Sequence, residues 1–155
     1  MARQVMKRFL PLLLLAAACG ARTPTATGSG SGGPVAEALT WTGCGPTDGP
    51  AVVVLVAEGP VACVDRLALQ ASDHLDVEIW SGAVPSPGQT LVLQGNAGAA
   101  ASCRSGNCAP LVGATLRFDA SDGTGWTATL SYSESGINKQ KTFHTTACVV
   151  QQMCG

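Results

Sequence analysis

Apolar and polar residues alternate with a period of two along much of this chain, and that pattern sets its fold class. Leu75, Val77 and Ile79 alternate with Asp76 and Glu78. Ala114, Leu116 and Phe118 alternate with Thr115, Arg117 and Asp119, and Ala128, Leu130 and Tyr132 alternate with Thr127, Thr129 and Ser131. Each reads as an antiparallel strand with one face buried and one in water. Leu91 and Leu93 form a shorter pair, and Thr142-Phe143-His144-Thr145 is strand-like. Ala51 to Ala57 is a continuous Val-rich run, as expected of a strand covered on both faces. No segment keeps apolar residues at the three- and four-residue spacing of an amphipathic helix.

Turn-forming clusters separate these runs: Ser81-Gly82, Pro85-Ser86-Pro87-Gly88, Gly95-Asn96, Asp122-Gly123 and Glu134-Ser135-Gly136. About seven or eight short strands at this spacing predict an all-β fold, a single antiparallel β-sandwich with a small β-barrel as the alternative. Asn96 to Gly113, rich in Ala, Gly and Ser around Cys103 and Cys108, interrupts the alternation and is expected to be a long loop. The folded part is expected to span residues 40–155, enough for one domain. Residues 19–39, Gly-, Ser-, Thr- and Pro-rich with no large apolar residue before Val35, read as a disordered tether. As a flexible coil it would reach roughly 25 Å.

The N-terminus carries a different signal. Arg3, Lys7 and Arg8 precede an apolar run from Phe9 to Ala18, broken only by Pro11. That run is short of the about 20 residues a membrane-spanning helix needs. A basic stretch, a short apolar stretch and small residues make a secretory signal peptide, here residues 1–18. Leu15-Ala16-Ala17-Ala18-Cys19-Gly20 resembles the lipobox of bacterial lipoproteins, although Ala16 stands where Leu is more usual. The resemblance implies that the Cys19 thiol receives a diacylglycerol and that cleavage falls between Ala18 and Cys19. It implies a palmitate-type acyl anchor in the lipid bilayer, stable because more than one chain is attached. Gly20, rather than Asp, after the cysteine implies a cell-envelope location at the outer membrane rather than the inner one. The whole layout of lipobox, tether and small strand-rich domain is similar to that of uncharacterised small disulfide-containing envelope lipoproteins of Gram-negative bacteria, and this likeness implies no activity.

Export changes how the cysteines read. The chain has seven, and acylation of Cys19 leaves an even set: Cys44, Cys63, Cys103, Cys108, Cys148 and Cys154. Outside the reducing cytoplasm six cysteines in a small domain read as three disulfides. They allow about fifteen connectivities; pairing of sequence neighbours, 44 with 63, 103 with 108 and 148 with 154, is expected because each pair flanks a segment that turns back. Cys103-x4-Cys108 and Cys148-x5-Cys154 lack the tight spacing of common zinc sites, so no metal is expected. The mature chain keeps six Lys and Arg against ten Asp and Glu, a net charge of −4, which argues against nucleic acid as a partner.

Catalytic patterns are sparse. The chain has no Gly-x-Ser-x-Gly elbow, no His-Glu-x-x-His and no phosphate loop. His74 and His144 stand in unlike contexts, Asp76 and Glu78 share the solvated side of a strand, and Asp119-Ala-Ser-Asp122-Gly misses calcium-loop spacing and reads as a hairpin turn. No catalytic residue and no cofactor are expected. Trp80 falls on the side of Asp76 and Glu78, where a half-exposed ring offers a platform for a sugar or a partner protein. The expectation is a non-enzymatic module that binds an envelope protein or glycan. A structural envelope component and an inhibitor of an envelope hydrolase, acting through the Asn96–Gly113 segment, are the alternatives.

Overall fold

The computed structural model describes residues 36–150 and Cys154. The expected export signal, Cys19 of the lipobox-like segment and most of the expected tether lie outside the described residues. Nine strands are described: β1 (Ala36–Cys44), β2 (Pro50–Val56), β3 (His74–Ile79), β4 (Thr90–Val92), β5 (Gly98–Arg104), β6 (Asn107–Pro110), β7 (Val112–Ser121), β8 (Trp126–Glu134) and β9 (Ile137–Ala147). A 3₁₀ turn (Cys63–Asp65) and a short helix, α1 (Arg66–Ala71), sit between β2 and β3. The protein is all-β, as its alternation predicts.

All nine strands belong to one sheet, in the order β4-β7-β8-β9-β1-β2-β3-β5-β6. The expected layering of seven or eight strands into a purely antiparallel sandwich is therefore modified. One sheet takes the place of two, and the β1–β9 pair is parallel, from Ala36 opposite Phe143 to Thr40 opposite Ala147. The sheet is open in its hydrogen bonding but curls over. β6 ends at Pro110 and β7 begins at Val112, so Leu111 alone carries the chain from one edge to the far half of the sheet. Two Cα steps span no more than roughly 7 Å; the edges must lie close together. Leu111 is buried in the seam, and its N–H donates to Ala100 O. Both edge strands are short, and β6 carries Pro110, which blunts them as pairing templates.

Curling gives the sheet one enclosed face. Val52, Val54, Val56, Val77 and Ile79 meet Leu116, Phe118, Leu130 and Phe143 across it, with Trp126 5.0 Å from Phe118 and 5.9 Å from Phe143 between ring centroids. The outer face of β1 and β2 carries a second cluster, Leu39, Trp41, Leu55 and Ala57, capped by Leu69 of α1 and by Cys148. β2 is thus covered on both sides, as its unbroken apolar run predicts.

Three sequence expectations need correction. β1 starts at Ala36, four residues before the expected domain boundary, and Ala38 and Leu39 are core residues rather than tether. Asn96–Gly113 is mostly β5 and β6 joined by a tight turn in which Ser105 and Gly106 have positive φ. The disulfides are Cys44–Cys154, Cys63–Cys148 and Cys103–Cys108. Only the last joins sequence neighbours. Because β9 lies parallel beside β1, Cys148 follows on alongside it, with Cys148 N donating to Thr40 O, and Cys148 and Cys154 meet partners from the first half of the chain.

Candidate functional site

At one end of the curled sheet the enclosed face stops being apolar and opens to solvent. On β9 the inward positions change from Phe143 to Lys141 and Lys139, which pair in register with Leu130 and Tyr132 of β8. Opposite them Val56 gives way to Glu58, and β3 and β5 contribute Asp73, Ser102 and Arg104 at their ends. These side chains rim a cavity of about 130 Å³. A shallower depression of about 660 Å³ continues over Val112, Gly113 and Asn138 and shares Tyr132 and Lys139.

Ion pairs tie the two sides of this mouth together. Arg104 Nη1 lies 3.2 Å from Asp73 Oδ2, its Nη2 lies 3.8 Å from Glu134 Oε1, and Lys139 donates to Glu134 Oε2. Ser105 N also donates to Asp73 Oδ1 at 3.0 Å, which fixes the β5–β6 turn against the start of β3. The Lys139 ammonium holds the Glu134 carboxyl below its usual range, and Glu134 in turn raises Lys139. Burial pushes the Tyr132 phenol up, with Glu134 adding to the rise. Among the described residues Glu58 and Lys141, on the same rim, form no ion pair.

Behind the mouth, on the outer face of β3 and β5, a second group comes together. His74 pairs in register with Cys103 and Asp76 with Ala101. A ring nitrogen of His74, a carboxylate oxygen of Asp76 and Cys103 Sγ all lie within 4.8 Å of one another. His74 Nδ1 is 3.0 Å from Ser72 O, which only accepts, so Nδ1 carries a hydrogen. Asp76 Oδ1 is closed off from solvent and has no hydrogen-bond partner among the described residues. Burial, reinforced by the neighbouring charge of Glu78 and opposed by His74, raises the Asp76 carboxyl to about 6. A metal ion would find two donors here, because the third, Cys103 Sγ, is bonded to Cys108. Alternation did place Asp76 and Glu78 on one side of β3; it gave no sign that this side would be covered at Asp76, which stands beside Leu55 of the outer cluster and Ala101 of β5.

The other sequence candidates separate. Trp80 is half-buried, its Nε1 donates to Glu78 Oε2 at 2.8 Å, and its edge lies over Gly45 in the β1–β2 turn. His144, on the outer face of β9, pairs through Nε2 with Asp122 Oδ2 at 3.0 Å. Asp122 Oδ1 accepts from Thr124 N, Thr124 Oγ1 and Gly125 N, and these bonds with that to His144 hold its carboxyl far below the usual range. That geometry closes the β7–β8 hairpin, as the turn reading of this segment anticipates.

The molecule is thus defined as a disulfide-bonded, all-β domain made of one curled sheet with a charged mouth. No protein-family model, no curated protein and no solved structure matches the chain.

Proposed function

We propose that this chain is a lipid-anchored cell-envelope protein whose β domain is a non-enzymatic module that binds an envelope protein through the charged mouth. The observation that carries the reading is the rim itself. Glu58 and Lys141, opposite charges among the ion-paired residues Asp73, Arg104, Glu134 and Lys139, have no ion-pair partner among the described residues and present their groups to a partner. Rim charges of mixed sign steer and orient a protein surface. The enclosed cavity of about 130 Å³ is below the roughly 300 Å³ at which small-molecule sites begin, and the adjoining depression of about 660 Å³ is shallow and open, so the mouth suits an inserted side chain and a broad protein contact better than an enclosed sugar unit. Trp80 offers a half-exposed ring to a glycan, but its one hydrogen-bond donor is already held by Glu78. Attachment to the outer membrane through acylated Cys19 rests on the lipobox resemblance. An inhibitor of an envelope hydrolase would use this same surface, since the β5–β6 turn is exposed and held by Asp73 and a disulfide.

A photo-crosslinking residue placed at Glu58 in the full chain, in living cells, tests the reading. A discrete cross-linked protein that disappears with Lys141→Glu supports it, and no cross-link above that seen from exposed Thr146 on β9 overturns it. Cys19→Ser, expected to move the protein from the membrane to the soluble fraction, tests the anchor separately.

A further inference from the structure

Cys103 and Cys108 form a disulfide whose two residues differ sharply in exposure and whose buried sulfur, among the described residues, lies within 4.8 Å of two ionisable side chains. They face each other directly across the β5–β6 pair. Cys103 is 1% exposed, whereas Cys108 lies on the exposed edge strand β6. His74, itself only 6% exposed, and Asp76 stand beside Cys103 Sγ, and the buried Asp76 oxygen has no partner among the described residues. A buried carboxylate without a donor is costly unless something accounts for it. Proton exchange with the neighbouring sulfur is such an account.

We propose that Cys103–Cys108 is a thiol–disulfide exchange site, in which Cys108 is the sulfur that meets a dithiol partner and Asp76, beside His74, handles the proton of Cys103. A thiolate of the partner attacks Cys108 Sγ. A new sulfur–sulfur bond forms to Cys108, the Cys103–Cys108 bond breaks, and its electron pair leaves on Cys103 Sγ. A thiolate stranded at this buried position is poorly solvated, so its departure depends on the proton delivered from the Asp76 carboxyl. The partner's second thiolate then attacks the partner sulfur of the mixed disulfide and releases Cys108, which takes a proton from water. The dithiol ends as a disulfide, and Cys103 and Cys108 end as thiols. In the reverse direction the Asp76 carboxylate takes the proton from Cys103 and restores the nucleophile. Burial leaves Asp76 with a carboxyl raised to about 6, suited to both directions near neutral pH.

The charges facing Asp76 are few. Glu78 and His74 flank it on β3, Leu55 and Ala101 stand opposite it on β2 and β5, and Arg104 at the nearby turn is paired with Asp73. The site does not rest on the binding reading above, and its test needs no partner protein. Paired cysteines would be inert on sequence grounds; it is the placement of this pair that makes it reactive.

The experiment follows the opening of each disulfide separately in the purified full chain under dithiothreitol, by timed alkylation and peptide mass mapping from pH 5 to 8, with rates divided by the thiolate concentration. For Cys103–Cys108 the normalised rate is expected to rise roughly tenfold as pH falls through 6, and to stay flat in Asp76→Asn. Opening of Cys63–Cys148 in the same molecules should be unchanged by the substitution, which separates proton delivery from loosening of the fold. With glutathione in place of the dithiol, the adduct is expected on Cys108 and the free thiol at Cys103. A flat profile in the unaltered protein, the same profile in Asp76→Asn, a parallel change at Cys63–Cys148, or an adduct on Cys103 each overturns the proposal.

Discussion

Thr145 replaces a rung of the sheet for Trp126. Its Oγ1 accepts from Trp126 N at 3.0 Å and donates to Trp126 O at 3.2 Å, while the regular β8–β9 pairing reaches only to Thr127 and His144. Thr145 is fully buried, and Trp126 at the start of β8 is buried. A hydroxyl is suited to this position because it can donate and accept at once. Thr145→Val keeps the shape and the β-branch but leaves a buried N–H and a buried carbonyl unsatisfied. It should destabilise the domain by about 2 kcal/mol, read as a lower urea midpoint with an unchanged slope.

Gly125 makes that arrangement sterically available. A Cβ added there would run into the carbonyl oxygen of Thr145, a backbone atom that cannot step aside without moving β9. Gly125→Ala should therefore cost at least as much as the hydroxyl, about 2–3 kcal/mol, although alanine adds no polar group. Thermal unfolding of the two single variants and the double variant checks this. Because both act on one contact, the double variant should fall short of the sum.

Much of the fold was legible because it is written in side chains large enough to alternate. β3, β7 and β8 announce themselves through Val77, Leu116 and Leu130, and β2 through its run of valines. β5 was unreadable for the opposite reason. Its inward residues are Gly98 and Ala100, and a Cβ on Gly98 would collide with Glu78 O, so close approach requires the very residues that read as loop. β1 was hidden by the tether composition that runs up to it. The candidate site was legible only in part. Trp80 and the cysteines were identified by type, but Lys139, Lys141, Arg104 and Glu134 are scattered charges until the curl of the sheet brings the β5–β6 and β8–β9 hairpin ends together. His74, Asp76 and Cys103 likewise meet only through the β3–β5 register.

The cysteine pairing shows what local reasoning leaves out. Neighbour pairing assumes that each short segment returns on itself, whereas the parallel β1–β9 pair sends the C-terminal cysteines to partners 110 and 85 residues away. A cross-link over such a separation restricts the unfolded chain far more than one over five residues. Replacing Cys63 and Cys148 together by serine should cost about 4–5 kcal/mol, against about 2 for Cys103 and Cys108. Denaturant unfolding of the two double variants measures the difference, and equal losses would show that loop closure does not govern their contributions.

Asp76 sets the direction of the pH dependence. Its carboxyl is raised from 3.8 to about 6 in the folded domain, so the fold binds this proton more tightly than the unfolded chain does. The acid form is the one the fold favours, and stability from this group is fully present below pH 3.8 and lost as pH rises towards and just past 6. The loss is on the order of 3 kcal/mol. Asp76→Asn removes the ionisation, so the variant should be more stable than the unaltered protein at pH 7 and close to it at pH 4. Urea midpoints at the two values decide the matter. A variant destabilised at pH 7 would mean that the Asp76 carboxylate is held by an interaction stronger than its burial penalty.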